Sequence, residues 1–466
     1  MTFIEIVQWI NNNVLWGYPM IIALVGAGIL FTLLLGFPQV TKLGAAFKHT
    51  FGGMFSKEAK EEGSMSSFQS LATAIAAQVG TGNIAGVATA IISGGPGAIF
   101  WMWLAAFFGM GTIYVEAALA QKYRETRNGQ LVGGPAYYLK NGFAEKGHAA
   151  LGHGLATFFA IAIIIALGFV GNMVQSNSIA SAVTTAFDIS PFAIGILLAI
   201  LAAFVFLGGM KRIASFAELV VPIMALIYIL GSIAILVKFS SHIIPTFQGI
   251  FTAAFTGKAV MGGAQGIAVR IAIRYGVARG LFSNEAGMGS TPNSHAVANV
   301  NHPIEQSLAA MVGVFIDTVV VCSATALSIL VTGAHLKGLK GVAVTQEAFN
   351  LAFGSLGVKF LAICLTFFAF TTIVGWYYFG ENNVKYLSNN DGAIRIYQII
   401  LLAFIVMGSL FKVDLVWELA DMFNGIMVIP NLIGLFFLFG EVKKLRNDYR
   451  GERLSGKQIK YVYPYQ

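Results

Sequence analysis

Long apolar stretches separated by short polar segments dominate the pattern of this chain. A helix that spans a bilayer needs about 20 mostly apolar residues. Eleven stretches are candidates, near residues 18–37, 67–93, 97–121, 153–186, 191–209, 215–238, 250–281, 306–333, 346–386, 393–411 and 415–440. The pattern predicts an all-α polytopic membrane protein with about 11 transmembrane helices.

Three of these stretches depart from a simple span. Residues 153–186 and 346–386 are long enough to tilt or to extend beyond the bilayer. Residues 250–281 are interrupted by glycines and carry three arginines. No hydrophilic stretch is long enough to predict a separate soluble domain.

The composition agrees with lipid as the solvent. Only 11% of the 466 residues are charged and 57% are hydrophobic, whereas roughly 25% of residues are charged in a soluble protein. The 53 glycines suit close packing of membrane helices. Cys322 and Cys364 lie in apolar stretches and are interpreted as small buried hydrophobes. Without a Cys or His cluster, the sequence predicts neither a metal–thiolate site nor a cofactor.

Lysine and arginine distinguish the two sides of the membrane. If the chain crosses eleven times, most cations between the spans fall on one side, which is predicted to be cytoplasmic. The N-terminus is then outside and the C-terminus inside, in the inner (plasma) membrane. The net charge of +8 is interpreted as this orientation signal. Arg270, Arg274 and Arg279 are expected at the cytoplasmic end of their span.

The most informative polar interruption is QVGTGN, residues 78–83, in the middle of an apolar span. Two glycines around a threonine favour an unwound backbone, which a membrane tolerates only where it lines protein or a wet cavity. Free N–H groups beyond such a break attract a carboxylate, and carbonyls before it can coordinate a cation. We interpret Gln78, Thr81 and Asn83 as part of a ligand site. Packing of a small-residue face is the alternative.

A second polar cluster lies in the span near 346–386. Thr371 and Thr372 offer adjacent hydroxyls, and Trp376 follows Thr372 by four residues, which places the two on one helix face. A hydroxyl pair can contribute to the oxygen shell of a hard cation, and an indole can form the wall of a small pocket. Alternatively, the threonines bond back to the preceding turn.

An inverted repeat would place a matching break in the seventh span. We favour GGAQG, residues 262–266, over GLFSNEAGMGSTPN, residues 280–293, because the second segment follows the arginines on their cytoplasmic side. SNEAG is then interpreted as a cytoplasmic loop or gate in which Glu285 is available to the arginines.

The run GGPGAIFWMWLAAFFG, residues 94–109, resembles the signature of the alanine or glycine:cation symporter family. AAQVGTGNIAG and RGLFSNEAGMGS extend the resemblance over nearly the whole chain. It implies a leucine-transporter-like fold with one extra N-terminal helix and a 5+5 inverted repeat that contains discontinuous helices. The implied units are the extra helix with an amphipathic cytoplasmic linker, the two repeats and a basic tail, over residues 1–66, 67–238, 239–440 and 441–466.

The same resemblance implies sodium-coupled symport of a small neutral amino acid, alanine or glycine, with sodium as the coupling ion. The backbone around Thr81 and Gly82 would bind the substrate carboxylate, and Trp376 would cap the cavity. The implied sodium ligands are the carbonyls of Ala76, Val79 and Phe368 and the hydroxyls of Thr371 and Thr372. The full set of predicted substrate-binding residues is Gln78, Thr81, Gly82, Asn83, Gly263, Gln265, Gly266, Thr372 and Trp376.

A proton-coupled amino-acid transporter of the same fold is the main alternative, because Glu116 and Asp317 fall within spans and intramembrane acids often serve ion pathways. A channel is disfavoured because broken helices replace rings of pore-lining groups. No catalytic cluster or nucleotide-binding loop predicts an enzyme or an ATP-driven pump. The expected partners are the amino acid and the lipid bilayer, without nucleic acid, and the oligomeric state is open.

Overall fold

The computed structural model describes residues 2–52, 65–127, 129–256, 265–388, 390–455 and 461–465, most of which are helical. In chain order the helices are α1 (Phe3–Leu15), α2 (Tyr18–Leu34), α3 (Pro38–Thr41), α4 (Leu43–Gly52), α5 (Ser67–Gln78), α6 (Gly82–Gly94), α7 (Ala98–Lys122), α8 (Pro135–Glu145), α9 (Ala149–Phe187), α10 (Pro191–Phe206), α11 (Gly209–Lys238), α12 (Ile243–Thr256), α13 (Gln265–Asn284), α14 (Pro292–His295), α15 (Pro303–Thr332), α16 (Val342–Phe353), α17 (Ser355–Leu387), α18 (Asp391–Leu410) and α19 (Val413–Ser455). The strands in this part of the chain are β1 (Met65–Ser66), β2 (Glu125–Arg127), β3 (Gln130–Val132) and β4 (Ala298–Asn299).

Many of these helices have the length and composition of membrane spans. Seven helices of the described residues are long and apolar enough to cross a bilayer, or nine if each of two bent pairs is one span. The bent pairs are α1 with α2 and α5 with α6, with angles of 44° and 50°. The predicted all-α polytopic membrane class is confirmed, and the total of about eleven spans stays a prediction.

Two predicted spans each contain two helices. The span near 250–281 comprises α12 and α13, with residues 257–264 outside the described part of the chain. The span near 346–386 comprises α16 and α17, which meet at Gly354. The φ of Gly354 is +63°, a value that glycine adopts far more readily than other residues. Hydropathy alone does not predict the turn at Gly354, because both flanking helices are apolar.

The helices divide into an inner set and a lipid-facing set. The most apolar window is 67% buried in both α7 and α17, but only 28% buried in both α11 and α18. α7 packs against α13 and α15, and α17 packs against α9. Phe204 on α10 and Leu219 on α11 are each 66% exposed, as expected for side chains in contact with hydrocarbon.

α5 begins at a reciprocal cap. Ser66 Oγ accepts the backbone N–H of Gln69 at 3.1 Å, and Gln69 Oε1 accepts that of Ser66 at 3.2 Å, which satisfies N–H groups that a first turn leaves free. Just before this cap, β1 pairs in parallel with β4. The start of α5 is therefore tied to the chain that follows α14.

The C-terminal end packs against the same region. α19 continues to Ser455, so the segment predicted as a basic tail from residue 441 is helical over its first part. Beyond α19, the Tyr463 hydroxyl lies 3.1 Å from Gln121 Oε1 and 3.0 Å from the Val300 carbonyl oxygen. The Tyr463 ring lies 3.6 Å from the Arg124 guanidinium, a cation–π contact.

Candidate functional site

The first broken helix consists of α5 and α6. α5 ends at Gln78, and Val79 is extended, with φ −80° and ψ 90°. A side chain at Gly80 is excluded, because a Cβ there would overlap the Thr372 hydroxyl. The predicted unwinding at QVGTGN is therefore confirmed, and glycine is required by the close approach of α17.

Backbone and hydroxyl oxygens converge beside this break. Thr372 Oγ1 lies 3.1 Å from the carbonyl oxygen of Ala76, 3.3 Å from that of Val79 and 3.1 Å from that of Phe368. Thr371 Oγ1 donates to the same Phe368 carbonyl at 2.8 Å. We call these five residues the oxygen cage. They are the five residues that the resemblance implied as sodium ligands.

The chemistry of the oxygen cage fits an alkali cation. The single hydroxyl proton on Thr372 cannot bond all three carbonyl oxygens at once, so the carbonyls of Ala76, Val79 and Phe368 surround this hydroxyl with more acceptors than donors. Shells made only of oxygen suit hard cations. Both threonines also bond back to Phe368, as the alternative interpretation required, but Thr372 additionally reaches α5 and so joins two distant parts of the chain.

The N–H groups of the first break are covered by amide side chains. Gly80 donates its N–H to Asn83 Oδ1 at 2.9 Å, and Thr81 donates to Gln175 Oε1 at 3.1 Å. Thr81 Oγ1 and Gln78 Oε1 are buried and have no hydrogen-bond partner among the described residues. Because buried polar atoms are normally hydrogen-bonded, this pair of oxygens fits a polar ligand that donates hydrogen bonds.

The second broken helix consists of α13 and α14. Between them, Glu285, Gly287 and Gly289 have φ values of +59°, +84° and +81°, in the left-handed region that ends a right-handed helix. Every residue from 281 to 298 is buried. SNEAG is therefore a buried segment rather than an exposed loop, and the predicted role as a cytoplasmic gate stays a prediction.

Residues 262–264 of GGAQG lie outside the described residues, so a break at that position stays a prediction. Gln265 and Gly266 lie in the first turn of α13, which continues without interruption to Asn284, and Gly263 lies outside the described residues. The substrate-binding role predicted for these three positions stays a prediction. The break that the structure shows is the rival segment, residues 285–291.

The arginines of α13 lie at a different end of the protein from the one that we expected. Arg274 donates to Asn12 Oδ1 near the N-terminus. Arg279 forms two hydrogen bonds with the Asp421 carboxylate, at 2.8 and 2.5 Å. The arginines therefore lie at the same end as residue 12, opposite to the end that we expected. Arg279 has a carboxylate partner inside the protein, so its charge does not require cytoplasmic water.

A cavity of about 340 Å³ opens at this end, with Asn12, Arg274, Lys340 and Asp421 among its lining residues. We call it the vestibule. Next to the vestibule, the Phe282 ring packs between Trp417 and Trp376, with centroid distances of 5.2 and 6.3 Å. The Phe282 ring thus connects Trp417, which lines the vestibule, with Trp376.

The two breaks contact each other directly. Gln78 Nε2 donates to the Asn284 carbonyl oxygen at 2.7 Å. A Cβ on Gly82 would lie 3.1 Å from the Ser283 Cα, so the two backbones approach closely here. Gln78 and Gly82, two of the predicted site residues, therefore lie directly against the end of α13.

Asp317 joins both breaks to α15 and is fully buried. Its Oδ1 accepts from Asn83 Nδ2 at 2.6 Å, and its Oδ2 accepts from the hydroxyls of Ser283 and Thr318 at 2.9 and 2.8 Å. It lies in the π-helical segment Phe315–Cys322, a geometry that is frequent at functional sites. Among the described residues its hydrogen-bond donors are neutral.

Glu116 on α7 holds the second break in place. Its carboxylate accepts the backbone N–H groups of Gly287 and Gly289 at 3.0 and 2.9 Å, and the Asn431 side-chain amide at 2.7 Å. Backbone groups that leave a helix inside a membrane need such partners. Sequence reasoning found Glu116 as an intramembrane acid but not this role.

Comparison with known proteins decides the family. Residues 1–463 match the sodium:alanine symporter family. The chain belongs to that family. Its members are transporters rather than enzymes, and the expected classes of transport and symport are confirmed.

Individual members of the sodium:alanine symporter family cover almost the whole chain. The sodium/alanine symporter AgcS of Methanococcus maripaludis is 45% identical over 447 residues, which are 95% of this chain and 96% of that protein. The probable sodium/glutamine symporter GlnT of Bacillus subtilis is 40% identical over 455 residues, which are 97% and 92% of the two chains.

A solved structure of a Na⁺-coupled sialic acid symporter shares the fold. It is similar to this chain with a TM-score of 0.53 and 13% identity, over 90% of this chain and 87% of that chain. At this identity the likeness supports the fold predicted for the sodium:alanine symporter family and nothing finer.

The structure adds residues that sequence reasoning missed. Gln175, Ser283 and Asn284 contact the first break, although none of them was predicted as a site residue. A signal for Gln175 was present, because the polar run NMVQSNS, residues 172–178, interrupts an apolar helix and is entirely buried.

We predict that Thr372→Ala raises the sodium concentration for half-maximal uptake by about tenfold, because it removes one oxygen of the cage, and tenfold corresponds to about 1.4 kcal/mol. Sodium titration of amino-acid uptake into proteoliposomes measures this effect. Thr366→Ala is the matched control, since the Thr366 hydroxyl bonds only within α17, to the Ala362 carbonyl oxygen at 2.7 Å. An unchanged sodium requirement in Thr372→Ala would remove this hydroxyl from the site.

Proposed function

We propose that this chain imports a small neutral amino acid, alanine or glycine, together with sodium, by alternating access. The observation that carries the proposal is the oxygen cage, which lies beside the first break and combines Ala76 and Val79 of the first half with Thr372 of the second. Membership in the sodium:alanine symporter family supports the same coupled transport.

Sodium binding links the two halves of the protein. The carbonyls of Ala76 and Val79 belong to the end of α5, and Phe368 and Thr372 belong to α17. A cation in the oxygen cage attracts both sets of oxygens, so occupancy favours the conformation in which α5 and α17 are close. A ligand shifts such an equilibrium only by its difference in affinity for the two conformations.

The first break supplies groups for both charges of an amino acid. The N-terminal end of α6 carries partial positive charge and favours a carboxylate. The unpaired oxygens Thr81 Oγ1 and Gln78 Oε1 suit the donors of an ammonium group. Burial of a zwitterion away from water requires both kinds of partner, since an unpaired polar group costs several kcal/mol.

The residues packed around the first break favour a substrate with a small side chain. The Trp376 indole packs directly on the backbone of α9, because a Cβ on Gly171 would lie 2.6 Å from Trp376 Cζ3. Gly80 and Gly82 also allow α17 and α13 to approach the first break closely. Alanine and glycine are therefore the proposed substrates, in preference to larger neutral amino acids.

The sodium gradient provides the driving force. One positive charge that moves inward through 100 mV gains about 2.3 kcal/mol, and the concentration gradient of sodium adds to this. Because the substrate is a zwitterion without net charge, the membrane potential acts on the sodium ion alone. Uphill uptake of a neutral amino acid follows from this coupling.

The distribution of charge supports an orientation with the N-terminus outside. The C-terminal part of α19 contains Lys443, Lys444, Arg446 and Arg450, and the end of α7 that contacts it contains Lys122. Cytoplasmic ends are enriched in such cations. The vestibule beside Asn12 then opens to the outside.

Coupling to protons is a second candidate, and Asp317 is the observation that favours it. This buried carboxylate bridges Asn83 of the first break and Ser283 of the second, and its described donors are neutral. A buried acid at such a position can carry a proton between the two sides.

We expect an inward sodium gradient to drive accumulation of radiolabelled alanine in proteoliposomes, because the oxygen cage must be filled for the substrate site to form. Replacing sodium by potassium on both sides should abolish accumulation. Accumulation that is independent of sodium but depends on an imposed pH gradient would overturn sodium coupling in favour of proton coupling.

Asp317→Asn separates these candidates further. With sodium as the coupling ion, the variant should retain sodium-driven uptake with the same pH profile as the unmodified protein, because its amide oxygen still accepts from Asn83. Uptake in both forms is measured across a pH series. Loss of a pH-driven component in Asp317→Asn alone would identify this carboxyl as the proton carrier.

The orientation is tested with single cysteines introduced at exposed positions. We expect Lys337→Cys to react with a membrane-impermeant maleimide on intact cells, and Arg450→Cys to react only after permeabilisation. The native Cys322 and Cys364 are buried and serve as the background in the unmodified protein. The reverse pattern of labelling would invert the proposed orientation.

A further inference from the structure

A carboxylate on the second break holds the Trp376 indole. Trp376 Nε1 donates to Glu285 Oε1 at 2.6 Å, and the Ser290 hydroxyl donates to Glu285 Oε2. Trp376 is 2% exposed and Glu285 is 0% exposed. The only polar atom of the indole is therefore committed to this contact, and each carboxylate oxygen of Glu285 has a neutral donor.

The backbone of Glu285 indicates that its side chain is needed. Its φ is +59°, in the left-handed region that residues other than glycine rarely adopt. Gly287 and Gly289, two and four residues later, also have positive φ and are glycines. A glutamate at a position where the backbone favours glycine points to a function of the side chain.

Two further contacts restrict the indole. On the side of α9 it meets the backbone at Gly171, within the π-helical segment Ile164–Gly171. The Phe282 ring is perpendicular to it, with 6.3 Å between centroids. The glycine removes the side chain that would push the indole away, and the hydrogen bond to Glu285 fixes its rotation. The indole therefore has one defined position beside the first break.

We propose that Glu285 is a positioning residue that sets the size limit for the substrate. By holding the Trp376 N–H, it keeps the indole beside the first break, where the indole excludes neutral amino acids with side chains larger than that of alanine. This inference rests on the proposed transport of a small amino acid. Glu285 acts through Trp376 and does not itself contact the substrate.

The position of Glu285 also couples the size limit to the shape of the second break. Glu116 binds the N–H groups of Gly287 and Gly289, and Glu285 precedes them in the same turn of chain. The indole wall and the unwound backbone are thus fixed by adjacent carboxylates. A rearrangement of the break would shift the indole at the same time.

The test compares uptake of alanine, leucine and glutamine into proteoliposomes by the unmodified protein, Glu285→Ala and Glu285→Gln. Without the carboxylate the indole can rotate, so Glu285→Ala should raise the ratio of leucine to alanine kcat/KM by about tenfold, the scale of discrimination by a methylene-sized contact. In Glu285→Gln the ratio should stay within about threefold of its value in the unmodified protein, because the amide oxygen accepts from the indole and the amide nitrogen donates to Ser290.

Trp376→Phe provides an independent test of the contact between Glu285 and the indole, since it removes the N–H and keeps an aromatic ring. If the pair acts as a unit, Glu285→Ala should change the substrate ratio far less in the Trp376→Phe background than alone. Equal effects of Glu285→Ala in both backgrounds would show that Glu285 does not act through the indole and would overturn the proposal.

Asp188→Ala is the matched control, because Asp188 is an exposed acid with a φ of +56° at the end of α9. It should leave the substrate ratio unchanged. If Glu285→Ala does not reach the membrane, Trp376→Phe still decides the outcome, because it removes the N–H that Glu285 binds and should raise the ratio of leucine to alanine kcat/KM. A uniform loss of kcat with an unchanged ratio in Trp376→Phe would overturn the proposal.

Failure of this inference is distinct from failure of the proposed function. If the unmodified protein shows no sodium-driven uptake of alanine or glycine, the proposed function is wrong. If sodium-driven alanine uptake is present but the substrate ratio does not respond to Glu285→Ala, only the role of Glu285 is wrong.

Discussion

Backbone groups that leave a helix inside a membrane must find partners within the protein, and the architecture of this chain follows from that constraint. The carbonyls before the first break converge on Thr372 of α17. The N–H groups of the second break bind Glu116 of α7. α7 and α17 are accordingly among the most buried spans, because each carries side chains that an unwound segment elsewhere in the chain requires.

The same constraint places buried carboxyl groups next to the two breaks. Glu116, Glu285 and Asp317 are all fully buried, and each accepts hydrogen bonds from neutral donors around the two breaks. The oxygen cage nearby contains no acidic residue. The interior therefore separates two kinds of oxygen: carboxylates bind the unwound segments and the indole, and the proposed cation site consists of neutral oxygens.

The sequence predicts the first break and its oxygens well, because their signal is local. QVGTGN interrupts an apolar span within six residues, and the paired threonines stand together in another. The break at residues 285–291 was not favoured because the partner of Arg279 is Asp421, 142 residues away, and no local pattern reveals an ion pair at that separation. Gln175 does have a local signal in the polar run of residues 172–178, but its partner Thr81 becomes apparent only when α9 packs against the first break.

The contacts of Tyr463 have a practical consequence for handling the protein. Arg124, whose guanidinium lies against the Tyr463 ring, also donates to the carbonyl oxygens of Ala296 and Ala298 just beyond α14. A bulky label attached at Tyr463 would therefore disturb the support of the second broken helix. Labels for this protein are better placed at exposed positions that do not pack against Arg124.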